Sequence, residues 1–155
     1  MRIRDIMTSA LVTVSPQTRF ADARAEMSRR HIRHLLVTEG DQLAGIITDR
    51  DIRLSLLSAA ASLSAWEIWE IDHQLARLTV GEMMSGDVTT IDPNRSVHEA
   101  ARIMIDRKIG ALPVLSGREL VGIITDTDIL QALGLQMVQN IPDPGQTVAT
   151  GVVAG

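Results

Sequence analysis

Gly45-Ile46-Ile47-Thr48-Asp49-Arg50-Asp51-Ile52 returns, with one change, as Gly122-Ile123-Ile124-Thr125-Asp126-Thr127-Asp128-Ile129. The copies stand 77 positions apart, and the same offset places Met7 on Met84, Thr13 on Thr90, Pro16 on Pro93, Ala23 on Ala100 and Met27 on Met104. Ile32, Leu35, Val37 and Gly40 likewise fall on Ile109, Leu112, Val114 and Gly117 without a gap. Self-similarity at a fixed period marks a duplicated structural unit. The chain therefore divides into a first repeat (1–57), a connector (58–79), a second repeat (80–134) and a C-terminal tail (135–155).

Within the repeated octapeptide, the β-branched pair after glycine reads as a strand, and the residues after threonine read as a helix. Thr48 and Thr125 then stand at helix entrances. One reading of Thr-x-x-Asp is a capping box, the threonine oxygen bonding orphan N–H groups of the first turn. The other reading uses the same geometry. A strand running into a helix N-terminus aims free N–H groups and the positive end of the dipole at one spot, which suits a phosphate. Thr48 or Thr125 would add a hydroxyl there, and Asp51 or Asp128, one turn in, would accept bonds from the vicinal hydroxyls of a ribose. Physical chemistry alone leaves both readings open.

The rest of each unit follows the same alternation of strand and helix. Ile3 to Met7 reads as a short helical turn. Leu11 to Val14 is a strand stopped by Ser15-Pro16. Thr18 is the expected N-cap of a helix running to Arg30, with Phe20, Ala23 and Met27 as its buried stripe. Leu35 to Val37 is the next strand, and Glu39-Gly40-Asp41 turns it into Leu43 to Thr48 as a hairpin. The second copy repeats this plan. Its helix opens with a capping box, Ser96-Val97-His98-Glu99, and buries Val97, Ala100 and Met104. The connector carries Ser64-Ala65-Trp66-Glu67, another capping box, followed by Ile68, Ile71, Leu75 and Leu78 at helical spacing. This predicts an amphipathic helix, widened by Trp66 and Trp69, that packs across both units and contributes to a dimer contact. The small, turn-rich tail from Ile141 is expected to be loosely held.

Each unit resembles a CBS domain, named after cystathionine β-synthase, and the pair resembles a Bateman module. The resemblance rests on the Met7-Thr8 and Met84-Ser85 starts, and on Val12-Thr13-Val14-Ser15-Pro16 and Thr89-Thr90-Ile91-Asp92-Pro93. It extends through Ile32-x-x-Leu35-Leu36-Val37 and Ile109-x-x-Leu112-Pro113-Val114 to the two octapeptides, covering residues 3–57 and 80–134. It implies an α+β fold of two pseudo-symmetric β-α-β-β-α repeats, packed sheet to sheet with two clefts between them, and association into a flat homodimer. It also implies an adenine nucleotide (AMP, ADP or ATP) in the cleft, with Asp51 and Asp128 on the ribose and Thr48 and Thr125 at the phosphate. Ile47, Val37, Val114 and Ile124 would contact the base. Leu36 departs from the family pattern, which usually has proline there, as the second copy does at Pro113.

The two copies offer a phosphate unequal partners. The first has Arg29-Arg30-His31-Ile32-Arg33-His34 and Arg50, where the second has Asp106-Arg107-Lys108-Ile109-Gly110-Ala111 and Thr127. A buried phosphate needs neutralising, and arginine grips it with paired N–H groups. Given the resemblance, basic residues that begin this strand and helix line the cleft, so Arg33, His34 and Arg50 are the phosphate candidates. Arg29 and Arg30 read instead as cations closing a helix at the negative end of its dipole. No metal is expected, because His73 and His98 lie in unrelated helices and cysteine is absent.

Composition excludes several classes. With no cysteine among 155 residues, neither disulfide nor thiolate chemistry is open to the chain. A net charge of −4 and only 2% aromatic residues argue against general nucleic-acid binding. The uncharged run from Leu54 to Trp66 is too short and serine-rich to span a bilayer. Met1-Arg2-Ile3-Arg4-Asp5 leads into no apolar h-region, so a cytoplasmic location is expected. No nucleophile–base pair or glycine-rich phosphate loop is present, and no enzymatic role is expected. The expected function is a regulatory module, needing no cofactor, that binds an adenine nucleotide and changes conformation to regulate a separate partner protein. The rival is an assembly module whose Thr-x-x-Asp motifs are only caps. NAD or S-adenosylmethionine are the alternative ligands.

Overall fold

A computed structural model describes residues 1–50, 52–53, 64, 70, 73 and 77–139, with residues 135–139 described by backbone alone. After a 3-10 turn (Ile3–Asp5), the first repeat runs β1 (Thr13–Val14), α1 (Phe20–Arg30), β2 (His34–Glu39) and β3 (Gln42–Thr48). Residues 49–50 and 52–53 then take helical geometry. The second repeat runs α2 (Val80–Met83), α3 (Val97–Arg107), β4 (Ala111–Ser116), β5 (Glu119–Thr125) and α4 (Asp126–Gln139). This is the expected α+β architecture of two pseudo-symmetric repeats, with β3 of one in contact with β5 of the other. The connector helix lies largely outside the described residues, both tryptophans included. The tail falls outside from residue 140, and α4 continues to Gln139, past the boundary drawn at 134.

The hairpins are near-copies. β2 pairs antiparallel with β3, and β4 with β5, each ladder carrying one irregularity, at Val37/Thr38 and at Val114/Leu115. Gly40 (φ +58°) and Gly117 (φ +64°) make the turns in left-handed geometry, where glycine has no Cβ penalty. Side chains alternate faces with a period of two. Leu35, Val37 and Ile47 therefore share a face and form one core with Phe20, Ala23, Met27 and Ile52. Leu112, Val114 and Ile124 form the other with Val97, Ala100, Met104 and Ile129.

Three local expectations are corrected. Thr18 does not cap α1. Its hydroxyl accepts from Ser15 N–H at 3.2 Å inside the preceding turn, the N-cap is Arg19, and Phe20 N–H donates to Leu78 O at 2.8 Å. Backbone from the connector's end thus supplies what a side chain was expected to supply. At the position equivalent to Arg19, Ser96 does accept from Glu99 N–H at 3.1 Å, but the Glu99 carboxylate lies 3.5 Å from Arg95, so half the box forms. Finally, the first strand of repeat two shrinks to one parallel bridge, Ile91 to Val114. Val114 matches Val37, and Pro113 stands where Leu36 pairs with Thr13. Proline has no N–H to donate, so the ladder cannot extend there.

The repeats exchange their leading segments. Ile3 is fully buried in the core of the second repeat, with Ile6 and Met7 packed beside it. Val80 is fully buried in the core of the first, with Leu78, Met83 and Met84 beside it. Paired backbone bonds fix each exchange. Thr8 and Ile123 bond reciprocally at 2.9 and 3.0 Å, and Ser85 and Ile46 at 3.1 and 3.0 Å. Gly122 and Gly45 sit under the exchanged methionines. A Cβ on Gly122 would meet Met7 Sδ at 2.6 Å, and one on Gly45 would meet Met84 Cγ at 2.9 Å. These glycines are required by close approach, their φ angles being ordinary.

Candidate functional site

Each helix α1 and α3 ends on a non-glycine residue in the left-handed region, His31 (φ 54°) and Lys108 (φ 55°), which are equivalent across the offset. The chain then turns directly into β2 or β4, so these strand starts are fixed against the helix ends. Asp49 N–H donates to Arg33 O at 2.9 Å, and Asp126 N–H donates to Gly110 O at 3.0 Å. Each octapeptide's helix entrance is thereby tied to the start of its own repeat's middle strand.

A cleft of about 780 Å³ opens where the repeats meet, within the range of small-molecule sites. From repeat one come Thr48, Asp49, Arg50 and Arg53 at the octapeptide, Ile46 beneath it, and Arg33 and His34. Repeat two supplies the loop at Ser85 and Asp87 to Thr89, the end of α3 at Met104, Ile105 and Lys108, and Ile109 to Ala111 with Asp126. The walls are thus crossed: the first octapeptide faces the strand start of the second repeat.

Charges in the cleft are partly spent. Arg53 pairs with Asp49 at 3.0 Å, and Arg33 Nη2 reaches Asp126 Oδ1 at 3.2 Å and Thr127 Oγ1 at 3.1 Å. Arg50 and Lys108 are exposed and have no acidic partner among the described residues. They stand on walls from opposite repeats. Arg29 and Arg30, read from sequence as helix-closing cations, both grip Glu26 one turn back. The bonds from Arg30 and then Arg29 hold the Glu26 carboxyl below its usual range. Among the described residues no cluster of three or more potential metal ligands occurs.

The sequence candidates separate into three groups. Thr48, Arg33, His34 and Arg50 do come together on the cleft. Asp51 lies outside the described residues. Thr125 and Asp128 engage each other instead: Thr125 N–H and Oγ1–H each donate to Asp128 Oδ2 at 2.8 Å, and Asp128 N–H donates to Thr125 Oγ1 at 3.3 Å. In the second copy the capping box is therefore formed, and neither residue lines this cleft. The four base-contact candidates do not line it either. Val37, Val114 and Ile124 are fully buried and Ile47 is 1% exposed, all facing the helices. Alternation turns Ile46 and Thr48 toward the opening, with Ile47 on the opposite face. Sequence reading also missed Lys108, Asp87 and Thr89. The signal for them was the twofold relation itself, which crosses the walls between copies.

Two copies of one α+β unit, joined sheet to sheet around a shared cleft, define a tandem-repeat module. The chain belongs to the CBS-domain family: the CBS domain model matches residues 3–58 and 80–135. It is 30% identical over 131 residues to Hypoxic response protein 1 of Mycobacterium tuberculosis, covering 84% of this chain and 83% of that protein. It is 28% identical over 127 residues to the CBS domain-containing protein YhcV of Bacillus subtilis, covering 82% and 81%. Among solved structures it is similar to the CBS domain pair of protein MJ0100 in complex with 5′-methylthioadenosine and S-adenosyl-L-methionine. That match has TM-score 0.71 and 26% identity, over 88% of this chain and 98% of that one. No helix among the described residues is long and apolar enough to cross a membrane.

Proposed function

We propose that this CBS pair is a regulatory module that binds one adenine nucleotide (AMP, ADP or ATP) per chain, in the cleft at the first octapeptide. The observation that carries the reading is the pair of exposed cations, Arg50 and Lys108, that line the cleft at the first octapeptide from opposite repeats. A phosphate there would gain charge-assisted bonds from both walls and the positive end of a helix. Asp51 is assigned the ribose and Thr48 the phosphate end. The MJ0100 pair, which holds adenosyl ligands, supports an adenosine in a cleft of this fold.

Because the walls belong to different repeats, a ligand that fits one arrangement better than another shifts their relative placement by its differential affinity. That shift, relayed through a homodimer to a separate partner protein, is the proposed output. No catalytic step is assigned to the cleft. S-adenosylmethionine is the second reading, favoured by the same neighbour and by the Asp87 carboxylate in the cleft wall.

Isothermal titration with AMP, ADP, ATP, NAD and S-adenosylmethionine tests the reading. Two charge-assisted bonds of about 1.5 kcal/mol each correspond to a loss of about 100-fold in affinity in an Arg50→Ala/Lys108→Ala variant. Undiminished nucleotide affinity in that variant overturns the site. Failure of the parent to bind any of the five favours the assembly module.

A further inference from the structure

Arg33 and Gly110 occupy equivalent positions 77 residues apart, yet only one carries a side chain. The arginine, just before β2, crosses from repeat one to the entrance of α4 in repeat two, bonding Asp126 at 3.2 Å and Thr127 at 3.1 Å. A Cβ at Gly110 would lie 3.4 Å from Asp126 Oδ2 and 3.3 Å from His34 Nε2. The link is therefore one-sided in an otherwise twofold arrangement. Both its ends also line the cleft.

We infer that Arg33 is a latch between the repeats, held by Asp126 and Thr127 and handed to the ligand's phosphate on binding. The inference rests on the nucleotide reading above and gives it a mechanism. Arg33 and Asp126 are 59% and 49% exposed, so solvent screens the pair and it is weak. A phosphate offers the same guanidinium a paired grip with more negative charge. Transfer breaks the side-chain bonds from Arg33 to the α4 entrance, freeing that helix end from repeat one. Asp126 thus acts as an internal competitor for the phosphate's own ligand. It sets specificity against weakly charged ligands, because only a phosphate recovers the cost of opening the latch.

The test is titration of AMP and adenosine into parent, Arg33→Ala, Asp126→Asn and the double variant, with Arg33→Lys as a charge-retaining control. Removing the competitor in Asp126→Asn should tighten AMP about 3- to 5-fold, the worth of one exposed ion pair, and leave adenosine unchanged. Arg33→Ala should weaken AMP about 10-fold, with partial recovery in Arg33→Lys. In the Arg33→Ala background, Asp126→Asn should lose most of its gain, because no arginine is left to release. Equal gains from Asp126→Asn in both backgrounds would reduce Asp126 to a background charge and overturn the latch while leaving the nucleotide site intact. An unchanged AMP affinity in Asp126→Asn would also overturn it. A parent that binds neither AMP nor adenosine overturns the nucleotide reading and the latch together.

Discussion

Adding one methyl group at Gly45 or Gly122 tests the exchanged-segment packing in both repeats. A Cβ at Gly122 meets Met7 Sδ at 2.6 Å and Met7 Cγ at 3.1 Å, and one at Gly45 meets Met84 Cγ and Ser85 O at 2.9 Å. Ordinary carbon contacts begin near 3.5 Å, so either alanine demands a shift of more than half an ångström. Ser85 O cannot yield without disturbing its reciprocal bonds with Ile46. Overpacking of this kind costs about 1–3 kcal/mol. Urea denaturation of Gly45→Ala and Gly122→Ala should show both losses. The double variant Gly122→Ala/Met7→Ala should show coupling of at least about 1 kcal/mol, since the shortened side chain vacates the contested space, and Gly45→Ala/Met84→Ala should show less, because Ser85 O stays 2.9 Å from the new Cβ. The two sites then part company. Ser85 and Ile46 line the cleft, whereas Thr8, Ile123 and Gly122 do not. Gly45→Ala should therefore also weaken nucleotide binding, and Gly122→Ala should not. Neutral alanine variants, or fully additive double variants, would refute the packing argument.

Lys108 adopts left-handed geometry that favours glycine. Lys108→Gly should raise stability by about 0.5–1 kcal/mol in thermal unfolding and weaken AMP in titration, a trade expected where strain is kept for a binding residue. Asp128→Ala removes half of a formed capping box and should cost about 1 kcal/mol in urea unfolding, with the number of AMP molecules bound per chain unchanged. Glu82 closes the box at Thr79, where the Thr79 N–H and then its hydroxyl hold the Glu82 carboxyl below its usual range. Its stabilisation is present above the unfolded-state pKa and is lost as pH falls through the lowered folded value. Urea midpoints measured from pH 7 downward should show a shallower acid decline in Glu82→Gln than in the parent.

Much of the fold was legible because duplication doubles every signal. Strand, turn and stripe were each read twice, and Gly40 with Gly117 or Met27 with Met104 occupy matching places. What escaped depends on contacts distant in sequence. Phe20 N–H is satisfied by Leu78 O, nearly sixty residues away, so Thr18 only looked like the cap. The exchange of Ile3 and Val80 between cores leaves no trace in periodicity, since each repeat reads the same whichever partner fills its core. In the site, Arg33, His34 and Arg50 were legible from charge and position. Which of Ile46 and Ile47 turns to the opening was not legible, because buried strands without polar alternation do not reveal their face. Lys108 was hidden because it ends a helix of one repeat yet lines the cleft beside the octapeptide of the other.

The most direct measurement is the stoichiometry of AMP binding by isothermal titration, made on the parent and on the Arg50→Ala/Lys108→Ala variant. The account predicts one AMP per chain in the parent and an affinity lower by about 100-fold in the variant. Two equivalent AMP molecules per chain, or binding that ignores the loss of both cations, would contradict it.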